Sequence, residues 1–263
     1  MSAPAASGGA DGGRGELTYG TYLALDELLA LQRTLARPEH PDELLFIVVH
    51  QASELWFKCI LYELDVLVAG MEAFDALGAL ASVKRINALV RIVAAQLTAL
   101  ETLPPQRFAQ FRGYLGSSSG SQSEQFRAIE AASGLRDAHF MHALEEYGEI
   151  PTLVRRRLER PTLQELFDRM VRRAGVTLEQ VYTDPAQAVL FMLAEALLEY
   201  EQGFGMWRFL HVQLVERIIG PTTGGTGGTL GARYLQRTMS QRFFPDLWAV
   251  RARFFPAPGD RGG

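Results

Sequence analysis

Two stretches, residues 42–71 and 187–219, each carry apolar side chains at helical spacing around most of a cylinder. In the first, Leu44, Leu45, Ile47, Val48, Leu55, Ile60, Leu61 and Leu64 leave few polar faces, which predicts a helix wrapped by neighbours. Asp42, following Pro38 and Pro41, is placed to cap it. The second stretch runs to Gly220-Pro221, a stop that glycine's left-handed freedom and proline's missing N–H explain. No segment sustains the two-residue alternation of a strand, and no repeat of roughly 20 to 50 residues is present. The expected fold class is all-α.

Shorter signals fill in the rest. Leu17, Leu25, Leu28, Leu29 and Leu31 predict one helix over 16–35 with Thr18 as N-cap, and a third long helix covers 79–103, ended by Pro104-Pro105. The Ser/Gly run at 116–123 reads as a loop, 124–184 as shorter, partly exposed helices, and 220–231 as a Gly/Thr-rich loop before a helix or turn through Phe244. Residues 1–15 and 256–263 are expected to be disordered tails flanking one all-helical domain at 16–255.

Thirty acidic against 26 basic side chains give a formal charge of -4, the wrong sign for an electrostatic nucleic-acid footprint. A single cysteine, Cys59, excludes an internal disulfide framework, a Cys-rich zinc site and a Cys-ligated iron-sulfur cluster, and points to the cytoplasm. No signal-peptide pattern opens the chain, and polar residues interrupt every apolar run, so no bilayer-spanning helix is expected.

Of the five histidines, His40, His50, His139, His142 and His211, only His50 and His211 sit in apolar helical surroundings, which predicts that both face the core. Each is either a core histidine satisfied by one hydrogen bond or a metal or haem ligand. Zinc needs three or four protein ligands, and there is no His-Glu-x-x-His. Haem needs one axial imidazole in an apolar pocket between helices, and without Cys-x-x-Cys-His it would be held non-covalently. Arg112, among Phe108, Phe111 and Tyr114, needs an anion once desolvated, either a protein carboxylate such as Glu101 or a ligand's. The 220–231 loop lacks the Lys-Ser/Thr of a Walker A sequence; its glycines permit close backbone approach and its threonines offer hydroxyls. There is no Gly-x-Ser-x-Gly elbow, and Cys59 has no evident charge partner, so hydrolase chemistry drops out.

Several blocks together resemble the tryptophan 2,3-dioxygenase family of all-helical haem enzymes. They are the run Leu17 to Asp26 with Tyr19 and Tyr22, Asp42 to Trp56, Phe111-Arg112 with Ser118 to Ser123, Trp207 to Gly220, the Gly/Thr loop, and Arg242 to Trp248. They keep the family's order and span most of residues 16–252. The resemblance implies a helical bundle enclosing one b-type haem per subunit. His211 would be its proximal iron ligand, supported by Trp207, Ser119 and Gly120. It puts His50 on the distal side near the substrate indole N–H, and Phe46, Ile47, Val48, Val49 and Phe108 around the substrate. Arg112 would grip the carboxylate and Thr226 complete recognition of carboxylate and ammonium. Tyr19 and Tyr22 would be lent to a neighbouring subunit's pocket in a homotetramer.

The implied reaction cleaves the indole C2–C3 bond of L-tryptophan, or a close derivative, with O2 as co-substrate to give N-formylkynurenine, the first step of kynurenine-type catabolism. This sequence departs from the pattern at five places. Phe108 stands where the family usually has tyrosine, which removes a hydrogen bond of about 0.5–1.5 kcal/mol. Ser121 replaces a phenylalanine, Leu210 an arginine, and the Gly-rich loop is one residue longer. The middle segment is also short. Two alternatives stand beside the dioxygenase: a haem monooxygenase of a modified tryptophan in specialised biosynthesis, and a non-catalytic haem-binding protein.

Overall fold

A computed structural model describes residues 17–136, 138–145, 148–221 and 241–255. The expected tails, and Thr226 with most of the Gly/Thr loop, lie outside these residues. Among the described residues there are thirteen α-helices, three 3-10 turns and no strand, in agreement with the all-α expectation.

The expected first helix is two short ones. Thr18 caps α1 (Tyr19–Leu23) in a capping box with Thr21, but Ala24 adopts φ 49°, and α2 (Leu25–Leu29) starts in a new direction. A left-handed alanine costs roughly 1–2 kcal/mol; the Ala24 N–H still reaches the Gly20 carbonyl, and its own carbonyl accepts from Leu28 N–H at 2.9 Å. The chain then lies along the start of α3 (Pro41–Glu72), where the buried Glu43 carboxylate accepts the N–H groups of Leu35 at 2.7 Å and Ala36 at 2.9 Å. The cap of α3 is His40, whose Nδ1 accepts from Asp42 N–H at 3.2 Å; Pro41 takes the first helical position and Asp42 the first turn, not the cap.

The expected third helix also divides. α4 (Ala76–Ala95), capped by Asp75, gives way at Gln96, where the ladder tightens so that Ala99 N–H bonds the Gln96 carbonyl three residues back. α5 (Leu97–Leu100) follows, and Pro105 opens α6 (Pro105–Arg112). Two 3-10 turns, Gly113–Leu115 and Gly120–Gln122, cross the Ser/Gly run. Next come α7 (Glu124–Ser133), α8 (Ala138–Glu145), α9 (Thr152–Leu158), α10 (Leu163–Arg173) and α11 (Leu178–Thr183). These were expected to be partly exposed, yet every residue of α7 from Arg127 to Ser133 is buried, because α7 packs against α3 on one side and α9 on the other. A third 3-10 turn, Pro185–Gln187, leads into α12 (Ala188–Ile219), which stops at Gly220 with φ 83° as expected; α13 (Pro245–Ala252) closes the described chain.

α4 packs against both α3 and α12, and the main core of Ile60, Leu64, Val83, Ile86, Leu193 and Leu197 lies among them. Two smaller clusters sit where the N-terminal end of α3 meets the C-terminal end of α12 and the short α5 and α6: Phe46, Phe108 and Phe111 in one, Val49, Leu97, Leu100 and Leu214 in the other. The opposite face of α3 is uncovered in the single chain. Leu44, Val48, Leu55, Tyr62 and Val66 are exposed, so this helix is not wrapped all round by its own chain. It is also the one described helix long and apolar enough by itself to cross a membrane, although its inner face belongs to the core.

Candidate functional site

The two histidines singled out in the sequence lie on different long helices, and the fold brings their rings within electrostatic reach of each other. Burial, and next to it the His50 ring, push the His211 imidazole down to about 4, so it is neutral at physiological pH with a lone pair available to a metal. Its Nδ1 is buried with no hydrogen-bond partner, and Trp207, one turn earlier, stacks on it at 5.2 Å and 24°.

His50 is lowered as well, mainly by desolvation, with the Phe46 carbonyl and Glu54 acting against it. His50 is an exposed residue, not at the core position expected for it, although protein atoms crowd its ring. Nδ1 lies 2.7 Å from the Phe46 carbonyl oxygen. A carbonyl only accepts, so Nδ1 carries the ring proton and Nε2 is left as an acceptor.

Aromatic and aliphatic side chains line the space around both rings. Phe46 packs on His50 at 4.2 Å and on Phe108 at 5.5 Å, while Phe108 and Phe111 are buried behind it. Val49, Leu214, Leu210 and Ile218 continue the lining between α3 and α12. Arg112 ends α6 half-buried, next in sequence to Phe111, and the Arg107–Asp42 ion pair at 2.6 Å fastens α6 to the first turn of α3. Glu101, the candidate protein partner for Arg112, is exposed at the turn after α5.

Other expected site residues are not gathered there. Val48 points to the uncovered face of α3, Ile47 is half-buried, and Tyr19 and Tyr22 stand 76% and 71% exposed on α1. Ser119 and Gly120 begin the second 3-10 turn, where Ser119 Oγ meets Ser121 Oγ at 2.9 Å; no described contact joins that turn to either histidine.

Sequence reasoning missed the polar supports of α12. Glu201, 4% exposed, accepts from Trp248 Nε1 at 2.6 Å, the N–H groups of Phe243 at 2.7 Å and Phe244 at 2.9 Å, and Arg242 Nη1 at 3.0 Å. Nearby, buried Glu130 pairs with Arg127 at 2.7 Å and with Arg208 at 3.0 Å. A charged residue inside an apolar helical stripe was the available signal, since a buried carboxylate persists only when fully paired.

The donor set fits a haem better than a bare ion. Among the described residues no three His, Cys, Asp or Glu side chains form a metal-binding group, whereas one neutral imidazole with an uncommitted nitrogen, stacked on Trp207 among apolar side chains, is the kind of donor an axially ligated macrocycle requires.

The model of the tryptophan 2,3-dioxygenase family matches residues 3–173 and 164–254. The tryptophan 2,3-dioxygenase of Kineococcus radiotolerans is 40% identical over 261 residues, covering 90% of this chain and 91% of its own length. That of Herpetosiphon aurantiacus is 40% identical over 260 residues, covering 90% and 98%, and that of Myxococcus xanthus 36% over 272 residues, covering 93% and 92%. With agreement on that scale along both lengths, the chain belongs to the tryptophan 2,3-dioxygenase family.

Proposed function

We propose that this protein is a haem-dependent dioxygenase that cleaves the indole C2–C3 bond of L-tryptophan, or a close derivative, with O2 to give N-formylkynurenine. The observation that carries the reading is the pair of neutral imidazoles, on α3 and α12, brought together beside Phe46 and Trp207. His211 is the residue that would hold the iron, with Trp207 fixing its ring plane. When bound, the haem supplies O2 activation, and both oxygen atoms end in the ring-opened product.

The chain's own tasks are orientation and exclusion of water. His50 keeps its proton on Nδ1 and offers Nε2 to the indole N–H. Phe46 packs against the indole ring, backed by Phe108 and Phe111. Arg112 pairs with the carboxylate; Thr226 completes recognition of that carboxylate and the ammonium. Phe108 brings no hydroxyl to this end of the site, so Arg112 carries more of the anchoring. Turnover under labelled O2 is the test. Two labelled atoms in a ring-opened product are expected; one labelled atom in an intact ring would reassign the protein as a monooxygenase, and no turnover of any indole would make it a binding protein.

The assembly belonging to this reading is a homotetramer in which Tyr19 and Tyr22 complete a neighbour's pocket. Their exposure supports it, as does the apolar stripe of Leu44, Leu55, Tyr62 and Val66 on α3, a surface of the kind that marks an interface. Leu55→Glu should convert a wild-type tetramer to smaller species on light scattering and lower tryptophan turnover in proportion; a wild-type monomer with full activity would refute the shared site. The exposed Cys59 thiol fits a reducing cytoplasm, and the net charge of -4 fits a small-molecule substrate and not a nucleic acid.

A further inference from the structure

α6 has eight residues, too few to hold a helix by its own hydrogen bonds, so its pose depends on what it is fastened to. On one side the contact is apolar: Phe108 and Phe111 pack on Phe46 at 5.5 and 5.8 Å. Such contact is non-directional and leaves a helix free to turn or slide. Direction comes from three polar rungs that join α6 and the turn after it to the segment leading into α3. Tyr114 Oη donates to the Arg37 carbonyl at 2.9 Å, His40 Nε2 lies 2.9 Å from Gln110 Oε1, and Arg107 pairs with Asp42 at 2.6 Å. One side climbs from 37 through 40 to 42 while the other falls from 114 through 110 to 107, so the two segments are laced antiparallel with His40 as the middle rung.

The cap of α3 settles the His40 tautomer. Nδ1 accepts from Asp42 N–H at 3.2 Å, so the ring proton sits on Nε2 and is donated to the Gln110 amide oxygen. The ring also lies against buried Phe111, centroids 5.1 Å apart. Serine, aspartate or asparagine would cap α3 better, but each ends at the cap. An imidazole carries a second nitrogen on its far side and reaches across to α6. Arg107 and Gln110 share one stripe of α6, and Phe108 and Arg112 share the next. Rungs that hold the first stripe therefore set the rotation at which the second meets Phe46, and Arg112 stands in sequence between the Gln110 and Tyr114 rungs.

We propose that His40 is a positioning residue for substrate recognition: through Gln110 it fixes the rotation of α6, and with it the place at which Arg112 offers its guanidinium to the substrate carboxylate. This rests on the reading of Arg112 as the carboxylate anchor. A planar fork loses its second hydrogen bond on a small rotation, whereas a point charge would lose little. The rung thus bears on an amino-acid substrate and not on the indole ring.

The test is a calorimetric titration of the haem-loaded protein with L-tryptophan and with indole. His40→Asn keeps an oxygen to cap α3 but is too short for Gln110, and Gln110→Ala removes the exposed far end of the rung, so the melting temperature should change little in either. Each should weaken tryptophan roughly three- to tenfold and leave indole unchanged, with the turnover loss falling on KM. The double variant should lose no more than either single one, and His40→Asn should add nothing in an Arg112→Ala background. Unchanged tryptophan affinity in either variant, equal losses for indole, additive losses in the double variant, or a further loss in the Arg112→Ala background would each overturn the proposal. Arg112→Ala alone separates the two failures. If it weakens tryptophan and indole alike, the carboxylate reading has failed; if it is selective while His40→Asn is indifferent, that reading stands and only the rung is dismissed.

Discussion

His211→Ala, produced with ample haem supply, is expected to lose the five-coordinate histidine-haem absorption spectrum and with it turnover. His50→Ala should keep its haem and that spectrum. The two rings are chemically alike, both neutral and both lowered chiefly by desolvation, so the difference must come from what each nitrogen is committed to. His50 spends Nδ1 on the Phe46 carbonyl on its own helix and has its other nitrogen for a substrate N–H. His211 has no such bond, and its ring is held by the Trp207 stack. Losing a contact that merely supports a metal ligand costs roughly 10- to 100-fold in metal affinity or activity, and losing the ligand itself should exceed that. Absorption and resonance Raman spectra of the ferrous proteins check the assignment. An unchanged spectrum in His211→Ala, or haem loss in His50→Ala alone, would exchange the two roles or dismiss the site.

Periodicity singled out His50 and His211 as histidines on apolar stripes, but only the family resemblance put them at one site, and the surface of α3 could not be read at all; the reason lies in what periodicity reports. Apolar spacing says which face of a helix avoids water but not whose atoms cover it. The same signal came from Ile60 and Leu64, which pack in the core, and from Leu44 and Leu55, which stand exposed on a single chain. The stop of α12 at Gly220 was legible because glycine takes the left-handed conformation without penalty. The break at Ala24 was not, because alanine there carries no mark of its φ of 49°. Thr18 was recognisable as a cap by its hydroxyl, whereas His40 displaced Asp42 through a ring nitrogen that cap preferences rank low. Glu201 and Asn87 were overlooked for a related reason. A polar residue within an apolar stripe can be a solvent-facing interruption or a buried hub, and only the partners from distant segments, Phe243, Phe244 and Trp248 in one case and Ala196 in the other, decide between them.

Arg112→Ala should weaken L-tryptophan far more than plain indole. The guanidinium sits at the end of α6, half-buried, next to the Phe111 that closes the aromatic wall behind Phe46. A carboxylate held there gains charge-assisted hydrogen bonds of about 1.5–3 kcal/mol, so removing the fork should cost roughly ten- to a hundredfold in tryptophan affinity. Indole has no carboxylate to lose, and its contacts with Phe46 and His50 remain. The loss should fall more on KM than on kcat if the arginine serves binding alike in ground and transition states, and on both if it also sets the indole's attitude to the reactive side. Arg112→Lys separates charge from geometry: a lysine restores a point charge without the two-pronged fork, so partial recovery would identify bidentate pairing as the anchor. Phe108→Tyr is the complementary experiment. It returns a hydroxyl beside the arginine's end of the pocket, in a position already packed against Phe46 at 5.5 Å, and should tighten tryptophan by a few-fold while leaving indole unchanged. Equal losses for tryptophan and indole in Arg112→Ala would mean that the arginine braces α6 against its surroundings and that the carboxylate is held elsewhere.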